Sequence, residues 1–368
     1  MTSPRPFKVL FAGGGTGGHL YPGLAIAEEF QRRVAGVRVE WAGSSYGLEA
    51  RVIPQKGFVL HLLPVRGLYG VSWLKRLKVA LLLPAAFLQC VWVLLRFRPH
   101  LVVGVGGYAS GPMLAAAVVL GRVTVLQEQN AYPGMTNRIL GRWVRRAFVP
   151  VAGLERIFPR AEVVGNPVRR DILALRETPR PRPHPPQVLV LGGSQGARVI
   201  NRAMMDALPL LARWGHPVRV VHQAGPQQLE QVTQGYQGCT IPHQVVPFLE
   251  DMAGALAASR VAVSRAGASA VAELITARLP SVLIPIPGTS GDHQLKNGRR
   301  VEQHGAGVVL EQHLLTGQTL AARLMDLLDH PEKLDRMEAC SDSLFPGDSA
   351  RRIVESCLEL TGRSPGKE

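Results

Sequence analysis

A glycine-rich turn followed by a histidine is the first group of residues that could do chemistry. An apolar, strand-like segment at residues 9–12 runs directly into Gly13-Gly14-Gly15-Thr16-Gly17-Gly18-His19, and a helix-period pattern follows. Glycines let backbone N–H groups approach an anion, and the N-terminus of a helix adds partial positive charge. The turn therefore predicts a phosphate-binding loop. His19, whose imidazole titrates near neutrality, is a candidate general base beside it.

The same turn has a second interpretation. The spacing of Gly13, Gly15 and Gly18 fits the fingerprint of dinucleotide-binding folds, with Glu40 as the ribose ligand. Three features favour a nucleotide sugar instead: glycine turns recur at residues 104–107 and 192–196, a histidine follows the first turn, and the second half has a nucleotide-like helix start of its own. An NAD-linked dehydrogenase stays open as the alternative.

That helix start is the segment at residues 264–273, Ser-Arg-Ala-Gly-Ala-Ser-Ala-Val-Ala-Glu. Small side chains let a diphosphate approach the helix N-terminus, and the carboxylate of Glu273, about two turns in, can accept hydrogen bonds from both ribose hydroxyls. The alternative is that Glu273 only complements the helix dipole. The local sequence does not decide between the two.

Parallel strands are the elements that must position these groups. Strand-like segments alternate with helical patterns in both halves: residues 9–12, 37–42, 59–63, 101–105 and 123–126, then 188–191, 218–222, 244–246, 261–263 and 281–284. The alternation predicts an α/β fold with two Rossmann-like, doubly wound parallel-sheet domains facing across a cleft, and ligands at the carboxyl ends of the strands. Residues 179–186, rich in proline and arginine, predict an extended connector.

Composition narrows the class of protein. A chain of 368 residues favours two domains. Its four cysteines are dispersed and form no Cys-x-x-Cys pair, which argues against a zinc site or a disulfide framework. The N-terminus lacks the pattern of a secretory signal, so we expect a cytoplasmic protein. The formal charge of +15 favours phosphorylated substrates or an anionic membrane surface. Nucleic acid is not expected as a partner, because no zinc-finger or RNA-recognition motif is present.

Six motifs carry a family resemblance: residues 13–19, 106–111 (Gly-Gly-Tyr-Ala-Ser-Gly), 127–130 (Gln-Glu-Gln-Asn), 164–169 (Val-Gly-Asn-Pro-Val-Arg), 192–197 (Gly-Gly-Ser-Gln-Gly-Ala) and 264–267. Together they resemble the MurG family of transferases, over nearly the whole chain and in the family's order. The resemblance implies a GT-B fold without cofactor or metal. It also implies inverting transfer of N-acetylglucosamine from UDP-GlcNAc to the 4-hydroxyl of MurNAc in undecaprenyl-pyrophosphoryl-MurNAc-pentapeptide (lipid I), giving lipid II in peptidoglycan synthesis.

The resemblance also implies roles for particular residues. His19 is the candidate base, and Glu128 is a weaker candidate with a structural or sugar-hydroxyl contact as its stronger interpretation. Donor-binding roles fall to Thr16, Gly17, Gly18, Asn130, Arg169, Ser194, Leu249, Ala268, Ser269, Ala270, Val271, Ala272, Glu273 and Gln294. Asn297-Gly298, where the family has Asn-Ala, and the loop at residues 287–291 depart from the family pattern. The implied domains are an acceptor- and membrane-facing domain at 1–164, a UDP-GlcNAc-binding domain at 165–345, and a helix at 346–368 that returns to the first domain.

A long apolar segment suggests contact with a membrane. Residues 79–95 are almost wholly apolar but short and interrupted by Pro84, which predicts a buried helix rather than a spanning one. Just upstream, apolar and basic side chains alternate in a pattern that favours an anionic headgroup interface, with ordinary helix packing as the alternative. The residues assigned to this membrane and acceptor patch are Leu68, Trp73, Lys75, Arg76 and Lys78.

The predicted location is therefore peripheral, on the cytoplasmic face of the cell membrane, with cell-wall and division machinery as further expected partners. Other GT-B activities stay open: transfer to another lipid acceptor, or epimerisation of UDP-GlcNAc. The apolar and basic patch argues against the epimerase, whose substrate is soluble. A binding or regulatory module is disfavoured, because His19, Arg169 and Glu273 fall at corresponding strand ends.

Overall fold

The chain forms two compact units, and a computed structural model describes most of both. Residues 6–65, 73–192, 196–288 and 290–363 are described, with the backbone alone for residues 73–83 and 290. The first unit comprises residues 1–168 and 346–368, and the second comprises residues 169–345.

The first unit is built on a parallel sheet. Its strands in the described residues are β1 (Lys8–Gly13), β2 (Arg38–Ser44), β3 (Val59–Leu63), β4 (Leu101–Gly106), β5 (Val123–Gln127), β6 (Arg146–Val149) and β7 (Ala161–Val163). The helices between them are α1 (Gly17–Arg33), α2 (Glu49–Gln55), α3 (Trp73–Phe97), α4 (Ser110–Val119) and α5 (Met135–Leu140). The strand order is β3-β2-β1-β4-β5-β6-β7. Because helices cover both faces, β4 is buried at every position, which its uninterrupted Val- and Gly-rich run anticipates.

The second unit repeats this plan. Where the structure describes it, its sheet contains β8 (Gln187–Leu191), β9 (Arg219–Gln223), β10 (His243–Val246), β11 (Val261–Ser264), β12 (Ser281–Leu283) and β13 (Gly307–Val309), in the order β10-β9-β8-β11-β12-β13. Its helices are α6 (Arg170–Ala174), α7 (Arg198–Trp214), α8 (Leu229–Gly235), α9 (Met252–Ala257), α10 (Ala268–Thr276), α11 (His293–Gln303), α12 (Gly317–Asp329) and α13 (Pro331–Cys340). The predicted α/β class with two doubly wound parallel sheets is confirmed.

The last helix, α14 (Ser349–Leu360), belongs to the first unit. Ile353, Val354 and Cys357 are buried in the same apolar core as α1. The Ser349 hydroxyl donates to the Val164 carbonyl at 2.6 Å, and a Cβ on Gly165 would lie 2.3 Å from Pro346. This tight junction joins residues 165–168 to the first unit, whereas the sequence predicted a second domain from residue 165.

The proline-rich connector at residues 179–186 is docked on the second unit. The Arg180 guanidinium donates to the Ala277 carbonyl at 2.7 Å and to the Ser259 carbonyl. Arg182 donates to Glu338 at 2.6 Å. Part of the chain's excess of arginine therefore holds this segment in place.

Helix α3 continues through Pro84 to Phe97. Leu88, Trp92 and Leu95 are 67%, 55% and 52% exposed, so the prediction of a fully buried helix is wrong for this part of it. Spacings of four and three residues place the three side chains on one stripe of the helix. Of the helices in the described ranges, none combines the length and the apolar character needed to cross a bilayer.

Candidate functional site

In both units the glycine turns lie where the strand order reverses. In the first unit, the turns after β1 and β4 leave adjacent strands, and in the second unit the same holds for the turns after β8 and β11. Crevices at this point of doubly wound sheets are the usual ligand sites. The topology thus brings together, within each unit, motifs that are about 90 or 70 residues apart in sequence.

The two turns of the first unit interlock through backbone atoms. Gly14 donates its N–H to the Gly106 carbonyl at 3.2 Å. A Cβ on Gly13 would lie 2.1 Å from the Gly106 oxygen, and a Cβ on Gly107 would lie 2.2 Å from the Gly14 oxygen. These four glycines also have φ between +82° and +141°, which side chains disfavour. Close backbone packing is therefore the direct reason for glycine in both turns.

His19 is held beside this junction. It lies in the first turn of α1, and its Nδ1 is 2.7 Å from Oε1 of Gln129. A Cβ on Gly106 would lie 2.8 Å from Nδ1, so the ring packs directly against the second turn. The ring is partly exposed, and a base at this place could reach an acceptor hydroxyl.

A buried carboxylate lies beneath the first turn. Glu49 is 1% exposed, and it accepts hydrogen bonds from the Gly15 N–H at 2.6 Å, the Ser44 N–H at 2.9 Å and the Ser44 hydroxyl at 2.8 Å. The N–H groups of Gly14 and Gly15 are thus both engaged within the protein. A second anion near this carboxylate would be repelled, which makes the first turn a poor place for a diphosphate.

Glu128 is also buried, at 1% exposure. Its two oxygens accept hydrogen bonds from the Asn130 N–H at 2.9 Å, the Asn130 amide at 3.3 Å, the Gly134 N–H at 3.2 Å and the Asn137 amide at 2.8 Å. A carboxylate engaged by four donors organises the loop from residue 128 to residue 137. This geometry favours the structural interpretation of Glu128 over the base, and it fixes the side chain of Asn130.

In the second unit, the candidate donor-binding residues start α10. Gly267 caps this helix, and a Cβ there would meet no described atom within 4 Å, so the described residues leave room beside the start of the helix. The five small residues that follow, Ala268, Ser269, Ala270, Val271 and Ala272, are partly exposed. An open helix N-terminus lined by small side chains can accept a phosphate group.

Glu273 is the sixth residue of α10 and pairs with Arg169, whose Nη2 lies 3.2 Å from the Glu273 Oε1. Burial raises the pKa of Glu273 above its ordinary value, although Arg169 acts in the opposite direction. Because helix-dipole effects fade beyond the first turn, the position of Glu273 argues against a purely dipolar role. Arg169 and Glu273 are in contact, so the residues predicted to bind the diphosphate and the ribose lie side by side.

Two further residues predicted to contact the donor already take part in hydrogen bonds within the protein. The Leu249 N–H donates to Oε1 of Gln223 at 3.2 Å, so a uracil at this backbone would compete with an amide. Oε1 of Gln294 accepts from the Ile286 N–H at 3.1 Å. Helix α11 is tied to the start of α10 because the Asn297 amide donates to the Ala266 carbonyl at 3.1 Å.

The comparisons with known proteins cover most of the chain. Residues 9–149 match the glycosyltransferase family 28 N-terminal domain, and residues 187–353 match the glycosyltransferase family 28 C-terminal domain. A relative from Anaeromyxobacter dehalogenans, strain 2CP-C, is 42% identical over 361 residues, 98% of this chain and 94% of the relative. One from Myxococcus xanthus is 41% identical over 96% of this chain and 93% of the relative. Both are named UDP-N-acetylglucosamine--N-acetylmuramyl-(pentapeptide) pyrophosphoryl-undecaprenol N-acetylglucosamine transferase.

The chain belongs to glycosyltransferase family 28.

Solved structures agree with this membership. The crystal structure of Acinetobacter baumannii MurG has a TM-score of 0.76 and 27% identity, covering 96% of this chain and all of that one. The predicted resemblance to the MurG family and the GT-B class are confirmed. The crystal structure of the Listeria monocytogenes protein named putative UDP-N-acetylglucosamine 2-epimerase has a TM-score of 0.67 at 13% identity over 99% of both chains, which shows the shared fold alone.

The family membership and the position of Glu40 both argue against the dehydrogenase alternative. This residue lies within β2 rather than after it, and its carboxylate is 2.6 Å from Nε2 of His61. A ribose ligand of the dinucleotide type would need a free carboxylate beyond the strand end. Among the described residues, no group of three His, Cys, Asp or Glu side chains is placed to hold a metal ion.

The predicted site residues of this family 28 chain are not all described to the same extent. Ser194 and Leu68 lie outside the described residues. Trp73, Lys75, Arg76 and Lys78 lie on the first two turns of α3, where only the backbone is described. Thr16 caps α1 and is exposed, and Gly17 and Gly18 open the helix.

Sequence reasoning gave no role to Glu49, Gln129 or Asn166. The sequence pattern that could have identified Glu49 is an acidic residue a few positions after β2, the strand beside β1. Gln129 and Asn166 stand inside motifs that carried the family resemblance. What was missing was the contact between those motifs: the Asn166 amide donates to the Gln129 carbonyl at 2.9 Å.

Proposed function

We propose that this glycosyltransferase moves N-acetylglucosamine from UDP-GlcNAc to the 4-hydroxyl of MurNAc in undecaprenyl-pyrophosphoryl-MurNAc-pentapeptide, with inversion, to give lipid II. The observation that carries the proposal is the 42% identity over 98% of the chain to a relative named for this donor and acceptor. The geometry supports it with a partly exposed histidine at the strand-order reversal of the first unit and an open helix N-terminus in the second.

His19 is the proposed base. As the acceptor 4-hydroxyl attacks the anomeric carbon from the face opposite UDP, its proton passes to the imidazole and the bond from the sugar to the diphosphate breaks. The negative charge that develops on UDP needs fixed positive groups. Arg169 and the N-terminus of α10 supply them in this proposal, and no metal ion takes part.

The donor is proposed to bind to the second unit. Ser194, Leu249 and the small residues that open α10 would hold uracil and diphosphate, Glu273 would accept from the ribose hydroxyls, and Asn130 and Gln294 would contact the sugar. Thr16, Gly17 and Gly18 would lie beside the reacting sugar rather than cradle the diphosphate, because Glu49 already places a negative charge under that turn. The predicted division into an acceptor domain and a donor domain is part of this proposal.

Transfer can be tested with UDP-GlcNAc and a short-chain lipid I analogue, with and without EDTA. We expect UDP release that depends on the acceptor and is unchanged by EDTA. His19→Ala should abolish most of the turnover and leave UDP affinity intact, whereas His313→Ala, at a histidine whose side chain is 70% exposed, should match the wild type. Acceptor-independent loss of UDP-GlcNAc, or normal turnover in His19→Ala, would contradict the proposal.

We further propose that the first unit docks on the cytoplasmic face of the cell membrane as a peripheral protein. Beyond the predicted patch around Trp73, the described surface presents the α3 stripe of Leu88, Trp92 and Leu95. Three more exposed apolar side chains lie in and just after α5, and exposed arginines lie near them in the chain: Met135, Ile139 and Trp143, with Arg138, Arg142 and Arg145. Both α3 and α5 pack on α4, which brings the two groups to the same side of the sheet.

Vesicle co-sedimentation tests this docking. Binding should need anionic lipid and weaken with salt, because arginines meet lipid headgroups electrostatically. Trp143→Ser should weaken it, and Leu314→Ser, a comparably exposed apolar residue of the second unit, should not. Equal losses in both variants, or binding independent of anionic lipid, would argue against the membrane face. Contacts with cell-wall and division machinery stay a prediction.

A further inference from the structure

A chain of buried amides in the first unit ends at His19. Gln127 and Gln129 are 0% and 2% exposed. The chain of hydrogen bonds runs from Asn166 through these two side chains to the imidazole. Buried polar networks of this kind hold their members in one arrangement, because an unpaired member would cost free energy.

The orientation of the Gln129 amide is fixed by its neighbours. Its Nε2 donates to the Val105 carbonyl at 2.9 Å and to the side-chain oxygen of Gln127. Reversing the amide would set an oxygen against both of these acceptors. The Gln129 Oε1 therefore faces His19.

Gln127 is fixed in the same way. Its Nε2 donates to the Glu128 carbonyl at 3.1 Å and to Oδ1 of Asn166 at 3.3 Å, which leaves its oxygen for Gln129. The Asn166 Nδ2 in turn donates to the Gln129 carbonyl at 2.9 Å. Each of the three amides is thus held at both its oxygen and its nitrogen.

An amide oxygen can only accept a hydrogen bond, so the nitrogen that faces it must carry the proton. We infer that Gln129 is a positioning residue that holds neutral His19 in the Nδ1-protonated tautomer, leaving the lone pair on Nε2 as the base. In the described part of the chain, no hydrogen bond engages Nε2. This inference deepens the proposed function and rests on it for the role of His19 in transfer.

The arrangement also suits the proton transfer itself. When Nε2 takes the proton of the acceptor hydroxyl, Nδ1–H stays bound to the same oxygen, and that hydrogen bond becomes stronger because the ring is now charged. No side chain has to turn during the step. A partner that orients a catalytic imidazole through its second nitrogen has the same task in other proteins.

The tautomer can be read directly by nitrogen NMR on protein labelled with ¹⁵N-histidine, at a pH about two units above the ordinary histidine value. His19→Gln identifies the His19 signals by their loss. We expect a protonated Nδ1 and an unprotonated Nε2 in the wild type, and a shift toward the Nε2-protonated form in Gln129→Leu. An Nε2-protonated His19 in the wild type would overturn the inference even if the variant failed to fold.

Kinetics give an independent readout. Gln129→Leu should lower kcat about 10- to 100-fold and leave the KM for UDP-GlcNAc within about twofold, since the donor is not touched. The acid limb of its pH–rate profile should move to lower pH, because imidazolium loses an acceptor. Gln31→Leu, the same change at an exposed position of α1, is the matched control. A Gln129→Leu enzyme with the wild-type profile and kcat would overturn the inference. A wild type without transfer would refute the proposed function, while the NMR spectrum would still decide the tautomer.

Discussion

Replacing Glu49 with glutamine should slow transfer and leave the affinity for UDP intact. The carboxylate accepts three hydrogen bonds under the first glycine turn, and glutamine keeps one oxygen for the N–H and hydroxyl of Ser44. Its NH₂ group then faces the Gly15 N–H, so a charge-assisted bond is lost and a buried donor is left unsatisfied. Together these cost about 2–3 kcal/mol.

That free energy corresponds to about a 30- to 150-fold drop in the population of the native turn relative to any competing arrangement. Because His19 follows this turn directly, we expect kcat to fall about tenfold or more. UDP affinity should stay within about twofold, since the proposed diphosphate contacts lie in the second unit. Both are measurable with the UDP-release assay and with calorimetric titration of UDP.

Glu28→Gln is the matched control, because it removes the same charge from a half-exposed carboxylate paired with Lys56 at 3.4 Å. Surface pairs of this kind contribute about 0–1 kcal/mol, so this variant should behave as the wild type. A folded Glu49→Gln enzyme with normal kcat would refute the reasoning. A parallel loss of UDP affinity would also refute it, because the first turn would then be holding the diphosphate.

Three further predictions concern packing and protonation. Gly107→Ala should destabilise the first unit by about 1–3 kcal/mol or more in urea unfolding, because the added Cβ would lie 2.2 Å from a carbonyl oxygen. Gly121→Ala, also at positive φ but with no described atom within 4 Å of the added Cβ, should cost less, and equal losses would contradict the packing argument. UDP binding should begin to weaken at a pH above the ordinary range of glutamate titration, because burial raises the pKa of Glu273 and a protonated carboxyl group accepts fewer hydrogen bonds. Calorimetry should show a flatter pH dependence of UDP binding in Glu273→Gln, and an unchanged slope would count against the ribose contact. Burial lowers the pKa of His222 to about 4, below its unfolded value. This residue therefore contributes stability that is present above about pH 6.5 and lost as pH falls toward 4, about 3 kcal/mol in all. His222→Gln should remove that part of the pH dependence, and identical curves of unfolding free energy against pH in the two proteins would disprove it.

The sheets were predictable where the strands form apolar runs. All ten strands inferred from the sequence exist, with ends that differ by a residue or two. The strands that escaped, β6, β7 and β13, are three or four residues long. β7 carries Glu162 at its centre, and β13 begins with a glycine, so neither has a periodicity to detect. Their place is set by pairing with a neighbouring strand, which sequence pattern does not contain.

The candidate site was predictable only as a set of motifs. Glycine spacing gave the position of the turns but not their reason, since backbone interlocking and phosphate binding require the same residue. The carboxylate of Glu49 and the amide of Gln129 act through contacts between segments 34 and 110 residues apart. Such contacts follow from the order of strands in the sheet, and no local rule reports them.

The anomeric configuration of the product tests the central claim most directly. The protein should be incubated with UDP-GlcNAc and a short-chain lipid I analogue, and the disaccharide isolated and examined by proton NMR. The account predicts a β-linked N-acetylglucosamine on the 4-hydroxyl of MurNAc. An α-linked sugar, a different position of attachment, or UDP released without any disaccharide would contradict it.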